Sequence, residues 1–86
     1  MKAEDMFKNI GYVKTTVRDF ERHIFEDDGV IYVRCFEDKL MAYIYFDVSD
    51  KEWGKVGYYE PIDVEEHMAI TTQMEELGWI YNGKAW

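Results

Sequence analysis

Hydrophobic and polar residues change their spacing twice along the chain, and the changes predict a helix, a block of strands and a second helix. Residues 3–10 carry apolar side chains at helical spacing and are followed by Gly11, a common C-terminal helix cap. Residues 12–46 are rich in β-branched and aromatic side chains that alternate with polar ones. This second pattern is typical of β-strands.

Two turn sequences divide the β-rich block into an antiparallel meander. Asp27-Asp28-Gly29 and Glu37-Asp38-Lys39 both have the residue types that favour tight turns. Pro61 ends the block, because proline cannot donate to a β-ladder. The predicted extended segments are residues 12–18, 20–26, 30–36, 40–46 and, as a weak fourth strand, 56–60. Residues 47–55 have no regular period and are predicted to form a loop.

Alternation along the two clearest strands predicts which side chains share a face of the sheet. One predicted face is aliphatic and suits a covering helix: Ile31, Val33, Cys35, Ala42, Ile44 and Phe46. The other is rich in tyrosine and contains one arginine: Tyr32, Arg34, Phe36, Met41, Tyr43 and Tyr45. The tyrosine face is either a second core layer or a partly exposed surface.

The last element is the best-defined helix of the sequence. Asp63 and Glu66 form a capping-box pattern, and Gly78 suits a C-cap, so a helix is predicted over residues 64–77. Its apolar stripe is predicted to contain Val64, Met68, Thr71, Met74 and Leu77, joined by His67 and Ile70. An aromatic tail of Trp79, Ile80, Tyr81 and Trp86 is expected to fold back on the domain. We therefore predict an α+β fold in one domain, residues 1–86, with the C-terminal helix packed on one face of a sheet of three to four strands.

The charge of the chain limits its partners. The net charge is −8, and it is uneven: residues 1–46 have nine acids and seven bases, whereas residues 47–86 have nine acids and three bases. Such a field repels phosphate backbones and anionic lipids, which disfavours direct binding to nucleic acid or membranes. It is compatible with a basic protein partner, or it serves only to keep the protein in solution.

The cellular location is predicted from two features of the sequence. The chain begins without a basic stretch and apolar run of the secretory type, and the most apolar segment, residues 40–46, is too short to span a bilayer. Cys35 is the only cysteine and is expected to be a small buried hydrophobe. We expect a cytoplasmic protein.

Residues that could act as nucleophiles or metal ligands are few, and they lie in no catalytic motif. Ser49 is outside any nucleophile-elbow sequence, and Cys35 lies mid-strand. His23 and His67 have no third metal ligand at motif spacing. We therefore expect no enzymatic activity, no metal site and no cofactor.

Two surfaces are candidates for binding a partner. The first is the tyrosine face, where Tyr32, Tyr43 and Tyr45 lie with Arg34 in the predicted sheet. The second is the loop with Trp53, which is either a hot-spot anchor or a lid on the core. Acids flank this loop and the N-terminus of the last helix, and we expect them to lie close together: Asp47, Asp50, Glu52, Glu60, Asp63, Glu65 and Glu66.

The two ends of the chain resemble a group of small proteins. Residues 3–12 (AEDMFKNIGY) and 74–79 (MEELGW) are similar to the start and finish of short accessory proteins from phages and prophages of Gram-positive bacteria. Residues 15–61 lie outside the likeness. The resemblance implies a genomic setting in which small proteins often bind and inhibit host enzymes or defence systems. It transfers no functional residues.

Three hypotheses follow from these observations. The leading one is an acidic binding protein that inhibits a host protein, such as a CRISPR effector, another defence nuclease or a repair enzyme, by placing carboxylates in its basic groove. The second is a non-catalytic structural or regulatory homodimer that associates through the tyrosine face. The third is a sponge for a small signalling nucleotide, for which Arg18, Arg22 and Arg34 would have to meet.

Overall fold

Six elements make up the computed structural model of the protein, which describes residues 1–16, 20, 29–57 and 61–80. They are α1 (Ala3–Asn9), β1 (Val13–Thr15), β2 (Gly29–Phe36), β3 (Lys39–Asp47), β4 (Glu52–Gly57) and α2 (Val64–Glu76). The strands form one antiparallel sheet in the order β1-β2-β3-β4, and α1 and α2 pack together on one of its faces. The predicted α+β class and the position of the C-terminal helix are confirmed.

Both helices end in the same glycine-based cap. After α1, the N–H of Gly11 donates to Lys8 (3.1 Å) and the N–H of Tyr12 to Phe7 (2.9 Å), with Gly11 at φ 94°. After α2, Gly78 at φ 79° plays the same part, and the N–H of Trp79 donates to the Met74 carbonyl (2.9 Å). This is the Schellman arrangement, and it requires the left-handed backbone that glycine adopts without strain.

The predicted division of the sheet into an aliphatic and a tyrosine face is wrong. Residues directly opposite each other share a face, and Tyr32 lies opposite Ile44, whereas Tyr43 lies opposite Val33. Tyr32 is therefore on the helix-covered face, and Tyr43 and Tyr45 are on the far face. Arg34 shares the helix-covered face with Ala42.

A β-bulge is the reason for this difference. At the hairpin turn Phe36 pairs with Lys39 and Cys35 with Leu40, and continuing that register would place Tyr32 opposite Tyr43. The register shifts by one residue between Arg34 and Cys35, which leaves Met41 without a partner in the ladder. Because side chains alternate with a period of two, a shift of one residue exchanges the faces of one strand relative to the other.

The helix-covered face contains the main core. Phe7 of α1 stacks on Tyr32 with ring centroids 3.9 Å apart, and Phe46 meets both rings edge-on. The fully buried members are Ala3, Phe7, Tyr12, Tyr32, Ile44, Phe46, Ala69 and Ile70. Trp79 packs beside Phe46, so the tail folds back as far as this residue, and residues 81–86 of the predicted aromatic tail lie outside the described part of the chain.

The far face of the sheet has a smaller core. Ile31 and Tyr43 are buried there beneath Phe20, whose ring meets that of Tyr43 at a centroid distance of 4.8 Å. The rest of the predicted 20–26 segment is outside the described residues, as are Asp27 and Asp28 of the first predicted turn.

The fourth strand begins earlier than predicted. β4 starts at Glu52, so most of the predicted loop is strand, and the connection to β3 is a short turn that lies between the paired residues Asp47 and Glu52. Gly54 lies directly under the ring of Tyr45, which a side chain at that position would displace. The irregular apolar pattern of this segment arises because β4 is an edge strand in which only Trp53 packs against the main core.

Helix α2 has the predicted caps, and its buried side agrees with the prediction at Ile70, Met74 and Leu77 but not at Val64 and Met68. Its capping box is present: the Asp63 carboxylate accepts from the N–H of Glu66 (2.7 Å), and the Glu66 carboxylate accepts from the N–H of Asp63 (3.1 Å). Val64 and Met68 of the predicted apolar stripe face solvent, with 75% and 55% of their surface exposed. The buried side contains Glu66, Ala69, Ile70 and Gln73.

Candidate functional site

A buried carboxylate organises the contact between α2 and the sheet. Glu66 is 1% exposed and accepts hydrogen bonds from the Tyr12 hydroxyl (2.5 Å) and from Lys55 Nζ (2.9 and 3.0 Å). Arg34 lies 3.8 Å from the same carboxylate and 4.9 Å from the centre of the Tyr12 ring, over its face. The carboxylate is thus surrounded by donors from the end of α1, from β2 and from β4.

The ionisation of this group follows from its neighbours. Burial alone would raise the pKa of Glu66, but hydrogen bonds from Tyr12, Lys55 and the Asp63 backbone, with the charge of Lys55, hold that pKa below its ordinary value. Burial, together with donation to Glu66, raises the pKa of Tyr12 above its usual range. At neutral pH the cluster therefore contains an ionised carboxylate and a neutral phenol.

A second polar contact fixes α2 farther along its length. The Tyr32 hydroxyl donates to Gln73 Oε1 (2.5 Å), and both residues are buried. Burial raises the pKa of Tyr32, with Glu76 and Glu4 adding to the effect. Glu76 in turn accepts from the backbone N–H of Ala3 (2.7 Å), which ties the first turn of α1 to the last turn of α2.

Three of the residues predicted to bind a partner have internal roles. Tyr32 is 1% exposed in the core, and Glu66 is held by the contacts above. Asp47 is 9% exposed, and its Oδ1 accepts from the N–H groups of Ser49 (3.1 Å) and Asp50 (3.2 Å). This Asx-type turn fixes the β3–β4 connection, so the carboxylate stabilises a turn.

The other predicted contact residues differ in their exposure. Tyr43 is nearly buried under Phe20 on the far face, with Tyr45 half-buried beside it. Trp53 is half-buried at the edge of the main core and is therefore partly a lid on it. The exposed acids are Asp50, Glu52, Asp63 and Glu65, and Glu60 lies outside the described residues.

The exposed acids belong to two parts of the fold, the β3–β4 connection and the N-terminus of α2. Asp50 lies in the β3–β4 turn, and Glu52 is the first residue of β4. Phe46, near the end of β3, packs its ring beside Trp79, just beyond the C-terminus of α2. Asp63 and Glu65 are at the N-terminus of α2, which Lys55 anchors.

The buried polar cluster was not predicted, although two signals for it exist in the sequence. The capping box identifies Glu66 as a residue near the N-terminus of a helix, and Lys55 lies between apolar neighbours. Neither signal shows that the two side chains meet, because their contact depends on how α2 crosses β4. Cys35, predicted to be buried, is exposed because it lies beyond the bulge near the end of β2.

The remaining chemistry-bearing residues form no recognisable centre. His67 is exposed on α2, and His23 is outside the described residues. The described residues contain no group of three or more His, Cys, Asp or Glu side chains placed to hold a metal ion. Within the same residues, no helix has the length and apolar character needed to cross a membrane.

Comparisons with known proteins add no constraint. No family model, no curated protein and no solved structure matches the chain. The geometry of the side chains is therefore the basis for a functional proposal.

Proposed function

We propose that the protein is a non-catalytic binding domain that acts in the bacterial cytoplasm and inhibits a host nucleic-acid-handling protein by occupying its basic surface. The observation that carries this proposal is the distribution of charge around α2. Residues 61–80 contain five acids and neither lysine nor arginine. Only Glu66 of these five is buried, so the negative charge of this segment is displayed at the surface.

Internal ion pairing withdraws Lys55 and Glu66 together from the surface, and the exposed charge that remains is still negative. Lys55 contacts the buried Glu66 at 2.9 Å, and its side chain is only 5% exposed, while Arg34 approaches the same carboxylate. In the described residues, nine acids are exposed, whereas only five bases, all lysines, are exposed. The difference is four negative charges on the described surface.

A basic groove is the partner that this surface fits best. Complementary charge accelerates association and orients the two proteins, whereas the same field repels nucleic acid itself. Grooves that bind phosphate backbones are rich in lysine and arginine, so they present the required positive surface. Carboxylates of the protein would then stand where the phosphates of the nucleic acid bind.

Affinity capture tests this proposal. Tagged protein is incubated with lysate of a Gram-positive host at low and high salt, and bound proteins are identified by mass spectrometry. We expect a nucleic-acid-handling protein that is bound at low salt, released at high salt and blocked from its nucleic acid by the captured domain. If only the bait is recovered at both salt concentrations, or if the captured protein still binds nucleic acid, the proposal is contradicted.

A second candidate is the homodimer, for which the far face of the sheet supplies an observation. Val13 and Val56 lie on this face, opposite Val33 and Tyr43, and are 65% and 45% exposed. Self-association through this face would bury both valines. It predicts a molar mass that rises with concentration in light scattering and is insensitive to salt, whereas a constant monomer mass excludes it.

A further inference from the structure

Helix α2 buries two polar side chains beside Ala69 and Ile70 and exposes two apolar side chains on its outer side. Its inner side buries Glu66 and Gln73, whereas Val64 and Met68 are exposed. A surface helix usually turns its apolar stripe toward the core and its charges toward water. The exposed stripe of α2 therefore needs an explanation beyond packing within this chain.

The polar inner side is explained by the residues beneath it. Tyr12 and Lys55 donate to Glu66, and Tyr32 donates to Gln73, so each buried polar group of α2 is satisfied. These hydrogen bonds do not explain why apolar side chains are exposed on the outer side of the helix. Val64 and Met68 are four residues apart and so lie above one another on the helix surface, with Ile62, 39% exposed, just before the helix.

The charges that flank the stripe define the chemistry of whatever covers it. Asp63 and Glu65 are exposed beside Val64, and Glu75 lies on the outer side of α2 farther along. Because no lysine or arginine occurs in residues 61–80, nothing within this segment balances them except His67. An occupant must therefore offer apolar contacts to the stripe and positive charge at its margins.

We propose that the outer side of α2, defined by Val64 and Met68 with Asp63 and Glu65 at its margin, docks into a groove of a protein partner that has an apolar floor and a lysine- or arginine-rich rim. This is the helix-in-groove mode of recognition, in which residues at i and i+4 serve as anchors. The proposal rests on the proposed function and names the surface through which it operates. It also distinguishes this surface from the β3–β4 connection, where Asp50 and Glu52 have no exposed apolar stripe beside them among the described residues.

The test uses a defined cationic probe rather than the unknown partner. Isotope-labelled protein is titrated with a synthetic amphipathic helical peptide of leucine and lysine, and chemical shifts of the backbone and methyl groups are followed at low salt. The expected shifts centre on Val64, Met68 and Glu65. The double variant Val64→Ser/Met68→Ser is expected to bind the peptide at least about tenfold more weakly, as anchor residues do.

A matched variant at the β3–β4 connection shows whether the peptide binds through α2 or through exposed acids elsewhere. Asp50→Asn/Glu52→Gln is expected to bind within about twofold of the unmodified protein, because this variant keeps both apolar anchors, Val64 and Met68. If instead this variant loses the peptide and the α2 variant retains it, the inference is overturned while the proposed binding of basic partners stands. If the peptide binds nowhere at low salt, both the inference and the proposed function are contradicted.

Discussion

Glu66 shows how a single residue can determine the position of a helix. Its backbone N–H and carboxylate complete the capping box of α2, and the same carboxylate accepts from Lys55 and Tyr12. A carboxylate that is 1% exposed is stable only with such partners, because an isolated buried charge would cost several kcal/mol. The residue therefore stabilises the helix end and its contact with the sheet together.

Removal of this carboxylate is predicted to destabilise the fold strongly. Glu66→Ala removes the buried carboxylate that Lys55 contacts at 2.9 Å and that accepts from the Tyr12 hydroxyl, so we expect a loss of about 3 kcal/mol in the free energy of unfolding. Chemical denaturation, monitored by tryptophan fluorescence, measures this loss of stability. Glu65→Ala, an exposed neighbour, is the control and is expected to change stability by less than about 0.5 kcal/mol. Equal losses for the two variants would show that the buried cluster does not support the fold.

The lowered pKa of Glu66 gives a prediction about acid. A carboxyl whose folded-state pKa lies below its unfolded value of about 4.3 stabilises the fold above that pH. This contribution is lost as the pH falls through the folded-state pKa, because the group must then take up a proton in the native state. Stability measured between neutral pH and about pH 3 should decline more steeply for the unmodified protein than for Glu66→Gln. Parallel curves would contradict the assigned pKa direction.

At the scale of the element, sequence patterns predicted the caps and the turns better than the faces. Asp63, Glu66, Gly11 and Gly78 cap the helices as predicted, because capping depends on residues within one turn. The tight turn at Glu37 and Asp38 is also present, with both residues at positive φ, as a two-residue hairpin turn requires. Caps and turns form between residues a few positions apart, so the local sequence is sufficient to predict them.

The predictions that failed depend on contacts between elements. The bulge at Met41 reverses the faces of β2 relative to β3, and periodicity within one strand contains no information about it. The inner side of α2 was predicted only in part: Ile70, Met74 and Leu77 pack in or against the core. Val64 and Met68 face solvent instead, and Glu66 and Gln73 are buried against tyrosines of other elements. The candidate site was predicted only as far as the exposed acids, because the burial of Glu66 and Asp47 depends on partners from other elements.

The orientation of α2 can be tested through stability alone. Val64→Ser/Met68→Ser should change the free energy of unfolding by less than about 0.5 kcal/mol, since both side chains are mostly exposed. Ile70→Ala, on the buried side, should cost about 2–5 kcal/mol through the cavity it leaves. Thermal or chemical denaturation of the two variants measures both changes in the free energy of unfolding. A large loss in the double variant would mean that Val64 and Met68 are packed against the domain.

At the scale of the whole molecule, a described surface with an excess of negative charge surrounds a buried ion pair. Lys55 and Arg34 both lie near one buried carboxylate, and the exposed bases of the described residues are outnumbered by exposed acids. The α2 surface combines this field with two exposed apolar anchors. In such an interface the charges mainly govern the salt dependence and the rate of association, whereas the apolar anchors govern the lifetime of the complex.

The measurement that tests this account most directly is the affinity for the captured partner across a series of salt concentrations. Calorimetry on the unmodified protein and on Val64→Ser/Met68→Ser supplies both curves. We predict that the Kd of the unmodified protein rises steeply with salt, and that the variant binds at least about tenfold more weakly at every salt concentration with the same slope. A Kd that does not change with salt, or a variant that binds as tightly as the unmodified protein, would contradict the account.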